Sequence, residues 1–493
     1  MHLLKKLEET KMLKAFDHQT TTTDFITKQP YCLITSDPGT GKTRSVLDAF
    51  VKLKKKRSKL LVMEHILKKR SRLLVLAPLS ILQASWGDDI EKFAPELTYS
   101  IAIASNRKKA FQQDTDVTIT NHDAIKWLLA NPEFVNNYSM LCIDEFTAFK
   151  NANSARTKAL LKVTRPNIKR REPKQNASTS WESIIAMSGT PNSNTICDIW
   201  APALIVDGGT RLGKRFHSFQ AQVCTSHWNG FGNEWKDKEG AELMVAAALK
   251  DINIRYKLED CIDMPEKSMR TMYIDLPPEI QQQYNELEES SVLYTGEETV
   301  NAIHAGARVK KLLQLCTGAV YVPDGEGATK IVGIHKQRYD LVMSLVAARK
   351  HSLVAFNWRH EKEYLVEEAK KQKISYAVID GSVPSKKRTE AVARFQAGQL
   401  QVLFCHPQAA GHGLTLTKAN TIIWASPTYN AEHFEQFNGR IYRAGQKQKV
   451  EIILIAARHT WEPTVYEKLT IKLARMEELL NILKELRKAN ENN

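Results

Sequence analysis

The residues with the clearest chemistry are Ser36-Asp37-Pro38-Gly39-Thr40-Gly41-Lys42-Thr43, which follow the apolar run YCLITS (31–36) and open a helix-like stretch. A strand, a glycine-bearing loop and a helix start form the setting of a phosphate-binding loop. Glycines let backbone N–H groups turn toward the β-phosphate and the helix N-terminus adds positive potential. Lys42 would reach the β- and γ-phosphates and the Thr43 hydroxyl would bind Mg²⁺. Ser36 stands where the first glycine of such a loop is usual. The implied cofactors are ATP and Mg²⁺.

About a hundred residues on, Leu141-Cys142-Ile143 runs into Asp144-Glu145. A carboxylate at a strand's C-terminal end beside a phosphate loop can hold Mg²⁺ through water, and the next acid can polarise the attacking water. Ser188-Gly189-Thr190-Pro191 closes another strand-like run with hydroxyls, and on its own reads as a turn. Late in the chain Gln436, Arg440 and Arg443 are spaced four and three apart, which predicts a single helical face. Two arginines on such a face read either as solvated surface or as charge supplied to an ATP bound elsewhere in the chain.

Short apolar runs alternating with amphipathic stretches must position these groups. RLLVLAP (72–78), DVTITN (116–121), SMLCIDE (139–145) and IIAMSGT (184–190) are of strand length, and the pattern returns in HSLVAFN (351–357), ISYAVIDG (374–381), LQVLFCH (400–406), NTIIWASP (420–427) and VEIILIA (450–456). The alternation predicts an α/β fold with two parallel-sheet lobes covered by helices. Expected boundaries are lobe one at 1–275 with a helical insertion near 206–253, a helical bridge at 276–325, lobe two at 326–458 and a docking helix at 459–493. In that helix Leu469, Leu473, Met476, Leu480 and Leu483 form an apolar seam.

The 493 residues carry 70 Lys+Arg against 55 Asp+Glu, a net charge of +15 that points to a polyanionic partner. A hydrophobic share of 43% and a charged share of 25% exclude a disordered, collagen-like or disulfide-scaffold chain. The longest apolar stretch, Leu73 to Leu82, falls short of the roughly 20 residues a membrane span needs. MHLLKKLEET has no signal-peptide hydrophobic region, so a cytoplasmic protein, nucleoid-associated or in the host cytoplasm of a bacteriophage, is expected. Seven cysteines without zinc-site spacing read as reduced, mostly buried thiols. Residues 52–72 hold ten Lys/Arg and one acid, and 165–174 hold five Lys/Arg; each is a solvated surface or a nucleic-acid contact.

Taken in order, Gln19, SDPGTGKT, LAPLSIL with Trp86, TNHDAI (120–125), IDEFTAFKN (143–151), SGTPN (188–192), IDGSVPSKKR (379–388), AAGHGLTLTKAN (409–420) and QFNGRIYRAGQKQKV (436–450) resemble helicase superfamily two. Within it, the chain is most similar to the Swi/Snf-type, Rad54-like translocases of double-stranded DNA, in a compact bacterial or bacteriophage form. The resemblance implies two RecA-like lobes. It implies that Gln19 contacts adenine, that Gly39, Thr40, Gly41 and Lys42 hold the phosphates, that Thr43 and Asp144 hold Mg²⁺, and that Glu145 activates water. Gln436, Arg440 and Arg443 would form the lobe-two half of the ATP site, while Thr147, Ser188, Gly189 and Thr190 would couple ATP state to motion. DNA contacts would come from Asn121, Lys150, Asn151, Gly381, Ser382, Gly411, Gly413, Leu414 and Thr415.

The sequence departs from the family at Thr147, where His is usual, at Thr415, where Asn is usual, and at Tyr429 and Ala431, which replace Trp and Pro. The resulting expectation is a motor on double-stranded or branched DNA, acting in recombination, repair or replication, with recombination or replication proteins as partners and no membrane. A strand-separating or branch-migrating helicase and an ATP-gated, non-catalytic DNA clamp are the alternatives.

Overall fold

The computed structural model describes residues 14–64, 71–166, 181–228, 233–290, 292–295, 298–301, 305–323, 329–411 and 413–491. The chain divides into two units, Met1–Asp263 with Ala474–Asn493 and Met264–Leu473.

In the first unit the strands are β1 (Tyr31–Ile34), β2 (Leu73–Ala77), β3 (Tyr99–Ala102), β4 (Val117–Asn121), β5 (Met140–Asp144), β6 (Ser183–Met187), β7 (Cys224–Trp228), β8 (Asn233–Asp237) and β9 (Asn253–Ile254). Seven form one sheet in the order β3-β4-β2-β5-β6-β1-β9, and its pairings are parallel. Near-continuous apolar runs suit such strands because helices cover both faces. The period of two sorts them: Leu74, Leu76, Leu141, Ile143, Ile184 and Ala186 enter one core, and Leu73, Val75, Met140, Cys142, Ile185 and Met187 the other.

The second unit contains β10 (Lys267–Ile274), β11 (Val292–Thr295), β12 (Glu298–Asn301), β13 (Ala319–Pro323), β14 (Thr329–Gly333), β15 (Ser352–Ala355), β16 (Tyr376–Ile379), β17 (Val402–Cys405), β18 (Thr421–Trp424) and β19 (Val450–Ala457). Six make a second parallel sheet, ordered β10-β19-β18-β15-β17-β16. The same sorting recurs, with Leu353, Leu403 and Ile422 on one side and Val354, Phe404 and Ile423 on the other. Both lobes are RecA-like α/β units.

Three features differ from the sequence expectation. The expected boundary at 275 places β10 in lobe one, but it pairs with β19 from Lys267↔Val450 to Ile274↔Ala457 and forms the edge of the lobe-two sheet. The insertion at 206–253 is not wholly helical, because β7 and β8 form an antiparallel hairpin between the helices Phe216–Val223 and Ala241–Leu249. The bridge at 276–325 contains the helices Pro278–Ser290 and Ala305–Cys316, but also the hairpins β11–β12 and β13–β14.

The last helix spans Trp461–Glu491, with Leu469 buried in a lobe-two core and Leu483 in a lobe-one core. No helix among the described residues is long and apolar enough to cross a membrane. All seven cysteines are free thiols and six are buried, Cys197 and Cys224 bringing their sulfurs to 3.5 Å.

Of the basic stretch 52–72, residues 52–64 lie on the helix Lys42–Glu64 and 65–70 lie outside the described residues; the described cations are largely matched by acids. Lys52 meets Asp24 at 2.8 Å, Lys54 meets Asp116 at 2.6 Å and Arg57 meets Glu182 at 2.6 Å. In the other basic segment Arg165 turns inward to the carbonyls of Ile205 and Val206, and 167–174 lie outside the described residues.

Lobe two is locked by a fully buried ion pair, Arg338 to Glu462 at 2.5 Å, with Arg338 also donating to the Ala425 carbonyl at 2.7 Å. Burial alone would lower the Arg338 pKa, but the Glu462 carboxylate more than offsets it. Removing one partner leaves an uncompensated buried charge, which costs about 3–5 kcal/mol. Chemical unfolding should therefore show Arg338→Met losing stability of that order, with much of it regained in Arg338→Met/Glu462→Leu; equal losses in both would remove the ion pair as the cause.

Candidate active site

In the lobe-one sheet β6 lies between β5 and β1, and the register sets Ile34, Met187 and Asp144 side by side at the strands' C-terminal ends. Those ends launch the glycine loop, the Ser188-Gly189-Thr190 turn and the Asp144-Glu145 pair. The sheet thus converges three segments that are far apart in sequence, at the edge where parallel sheets bind ligands.

Gly39 and Gly41 have φ of +88° and +79°, a region that glycine enters at little steric cost. At Gly41 a Cβ would come within 2.2 Å of Gln19 Nε2, so the loop backbone is also close to that side chain. Gln19 Nε2 donates to the Thr40 carbonyl at 3.3 Å, and His18 Nε2 lies 2.9 Å from the same oxygen. Lys42 Nζ donates to the carbonyls of Ser36 and Asp37 at 2.9 and 3.1 Å. Burial lowers the Lys42 pKa, while Glu145, Asp144 and Asp37 pull it upward. Thr43 is buried in the first turn of the following helix.

The segment after β9 braces this loop from behind. Arg255 Nη2 pairs with Asp37 Oδ1 at 2.6 Å, Leu258 N donates to Asp37 Oδ2 at 2.9 Å and Tyr256 N donates to Ser36 Oγ at 3.1 Å. Sequence reasoning gave Arg255 no role. The available signal was an arginine immediately after a short apolar strand, which is weak without the fold.

Asp144 ends β5 and is buried, with its Oδ2 accepting the Trp86 indole N–H at 2.9 Å. Burial foremost, then the Glu145 charge, pushes its pKa up to about 7, while Trp86 and Lys42 act in the opposite direction. His122 Nε2 lies 2.7 Å from the Asp144 carbonyl. Trp86 appeared in the sequence only as part of a motif, and His122 received no role.

Glu145 takes the left-handed conformation, φ 53° and ψ 63°, which is uncommon for a residue with a side chain. Its Oε2 accepts the Ser188 hydroxyl at 2.9 Å, and Ser188 Oγ accepts Thr190 N at 3.2 Å. A Cβ on Gly189 would stand 2.7 Å from Pro38 Cδ, so this turn lies against the phosphate loop. Thr147 is buried in the turn Phe146–Phe149.

The DNA-contact candidates of lobe one are partly engaged internally. Asn121 Oδ1 accepts from Arg107 at 3.1 Å and Lys150 Nζ donates to Ser193 Oγ at 2.8 Å. Lys150 and the exposed Asn151 line a cavity of about 360 Å³ with Asn194, Thr195 and Trp235.

In lobe two the expected single helical face is not formed. The helix Ala431–Asn438 carries Gln436 but stops before Gly439, so Arg440 and Arg443 lie in the turns beyond it. They converge nonetheless: Arg440 Nη1 and Arg443 Nη1 both donate to the Leu414 carbonyl, at 3.2 and 2.9 Å. Arg440 Nε also donates to the Gln436 carbonyl at 2.8 Å. Gln436 is buried, and its Oε1 has no hydrogen-bond partner among the described residues. Gly411 is buried where a Cβ would meet the Pro407 carbonyl at 2.8 Å. Gly413 has φ of +69°, and Thr415, Gly381 and Ser382 are exposed.

A family model described as SNF2-related domain matches residues 10–317, and one described as helicase conserved C-terminal domain matches residues 337–445. The chain belongs to the SNF2-related family. This SNF2-related protein is a DNA-dependent ATPase of helicase superfamily two.

It is similar to protein p41 of Acyrthosiphon pisum secondary endosymbiont phage 1, 28% identical over 83% of this chain and 87% of the phage protein. It is 24% identical to the DNA annealing helicase and endonuclease ZRANB3 of Homo sapiens, over 93% of this chain and 40% of that protein. A solved structure, the Sulfolobus solfataricus SWI2/SNF2 ATPase core in complex with dsDNA, is 19% identical with a TM-score of 0.43 and covers 95% of this chain and 93% of its own. The SNF2-related chain spans less than half the length of the human relative and most of the phage one.

Among the described residues no group of three His, Cys, Asp or Glu is arranged to hold a metal. Mg²⁺ commonly takes only one or two carboxylates together with water and substrate phosphates. The hard oxygens of Thr43 and Asp144 beside a phosphate loop fit that requirement.

Trp86→Phe removes a donor that holds the Asp144 pKa down, so that pKa should rise from about 7. The acid limb of kcat/KM for ATP, which reports the free enzyme, should then move to higher pH. An unmoved limb would mean that the indole bond does not act on the titrating carboxylate.

Proposed function

We propose that this SNF2-related ATPase translocates on double-stranded or branched DNA and remodels DNA or protein–DNA complexes in recombination, repair or replication. The observation that carries the reading is the convergence of the glycine loop, Asp144, Glu145 and Ser188 at three neighbouring strand ends.

In the proposed cycle Lys42 leaves the carbonyls of Ser36 and Asp37 for the nucleotide's phosphates, Gln19 meets the adenine, and Gly39, Thr40 and Gly41 cradle the phosphates through their N–H groups. Thr43 and Asp144 would hold Mg²⁺, which when bound draws charge from the β- and γ-phosphate oxygens. Glu145, oriented by the Ser188 hydroxyl, accepts the proton of the attacking water. Arg440 or Arg443 supplies the arginine finger.

The loop from Gly411 to Thr415, a proposed DNA contact, is hydrogen-bonded at Leu414 to both candidate fingers. A shift of either arginine on ATP binding therefore moves the loop that grips the DNA backbone. Ser188, Gly189, Thr190 and Thr147 would transmit the same change in lobe one. Phosphate contacts give affinity without sequence preference, and Asn121, Lys150, Asn151, Gly381 and Ser382 would extend them. The annealing activity named for the human relative supports the re-pairing of strands over their separation.

Lys42→Ala should lose ATP binding and turnover together. Glu145→Gln should keep binding and lose turnover by roughly 10²–10⁴, the share a positioned base supplies. Near-wild-type turnover in both would remove the phosphate-loop assignment. A motor that tracks one strand of an intact duplex should displace the third strand of a triplex in an ATP-dependent way and open a tailed duplex poorly. The comparison is made at equal ATP turnover; efficient opening of the tailed duplex without third-strand release would favour a strand-separating helicase.

A further inference from the structure

At the opposite end of the lobe-two strands, where β15, β18 and β19 begin, lies a second polar cavity. His351 immediately precedes β15, Asn420 precedes β18, and the loop Gly445–Gln448 leads toward β19. The cavity measures about 290 Å³ and is lined by Lys350, His351, Lys418, Asn420, Lys447 and Gln448, among others. It shares no lining residue with the loop 411–415 or with Gln436, Arg440 and Arg443.

The walls are preorganised. Buried Gln446 donates through Nε2 to the carbonyls of Thr417, Ala419 and Ile441 at 3.3, 2.8 and 3.3 Å. Its Oε1 accepts Lys447 N and Gln448 N, each at 3.0 Å. One side chain thus staples the loop of Lys447 to the loop of Lys418. His351 is also buried, 8% exposed, and its Nδ1 lies 3.0 Å from the Leu400 carbonyl, which fixes the ring in the cavity wall.

The charges are one-sided. Three lysines line the cavity and no Asp or Glu does. Elsewhere in the lobe lysines are paired: Lys336 with Glu367 at 2.6 Å, Lys362 with Asp380 at 2.9 Å, and Lys449, at the end of this same loop, with Glu266 at 3.0 Å. Lys350, Lys418 and Lys447 have no ion-pair partner among the described residues. Like charges gathered without a counter-charge repel one another, and an anion in the cavity removes that cost. Ammonium groups and amide donors from Asn420 and Gln448 together match a phosphate group, whose oxygens accept several charge-assisted hydrogen bonds.

We propose that this cavity of lobe two is a phosphate-binding site, separate from the ATP site, built by Lys350, Lys418 and Lys447 around His351. The phosphate belongs either to the backbone of bound DNA or to a free phosphate compound, and the two sources have distinct readouts.

The test compares the full chain with Lys418→Glu/Lys447→Glu, with the milder Lys418→Gln/Lys447→Gln, and with a charge-matched control, Lys370→Glu/Lys373→Glu, at exposed positions of the same lobe. DNA-independent ATP turnover, measured in each, should stay unchanged and reports that the variant is folded. If DNA supplies the phosphate, the log–log salt slope for duplex binding should become shallower by up to about two units in the cavity variants, since each phosphate contact contributes about 0.9. If a free phosphate compound does, inorganic phosphate should raise the melting temperature of the wild type over chloride of equal ionic strength. That rise should shrink in the cavity variants, while the DNA slope is kept. No change in either measurement, or equal changes in the control, would overturn the site.

Discussion

Two adjacent carboxylates at the end of a buried strand, one buried and one half-buried, repel each other, and the rest of the active site is organised by that constraint. Asp144 and Glu145 follow one another at the end of β5, and burial with mutual repulsion raises Asp144 to about 7. The structure answers by turning them apart and surrounding them with donors. The left-handed backbone at Glu145 accompanies a carboxylate held by the Ser188 hydroxyl, while Asp144 is held by the Trp86 indole. Lys42 supplies the cation, half-buried and hydrogen-bonded to the loop carbonyls of Ser36 and Asp37.

A parallel sheet is what makes such a cluster possible from distant segments. In register, β1, β6 and β5 deliver their C-terminal ends to one line, and each strand must be apolar on both faces to stay buried between helices. The same residues that fix the fold therefore fix the spacing of the phosphate loop, the serine turn and the acids. The Arg255–Asp37 ion pair extends this logic to the loop's rear face, where the short strand β9 places an arginine against a carboxylate next to the cradle.

Much of this was legible in the sequence because the phosphate loop and the acidic pair are local signals: a few residues at fixed spacing after an apolar run. The two parallel lobes were legible because strand-length apolar runs recur with helical stretches between them. What stayed hidden depends on partners far away along the chain. β10 is an ordinary half-exposed strand whose lobe is decided by its ladder with β19, almost two hundred residues later. The β7–β8 hairpin is carried by polar and aromatic residues that periodicity does not distinguish from a loop. The basic helix beginning at Lys42 resembled a nucleic-acid surface, yet Lys52, Lys54 and Arg57 find Asp24, Asp116 and Glu182 on segments distant in sequence. A charge run records no partners until the chain has folded.

The spacing of Gln436, Arg440 and Arg443 shows how a wrong intermediate can accompany a sound grouping. Helical periodicity suggested one face, but the helix ends at Asn438 and turns carry both arginines. What unites them is a single acceptor, the Leu414 carbonyl, reached by a guanidinium nitrogen from each. A turn is a better device than a continuous helix for a group that must move. Arginines on one rigid helix face would have to shift with the helix, and its packing resists displacement. In a turn each guanidinium could exchange a neutral carbonyl for a charged phosphate by side-chain rotation, and under the proposed cycle Leu414 would then lose a donor. Under the proposed function, two hydrogen bonds to one oxygen would join ATP chemistry to the hold on DNA within lobe two.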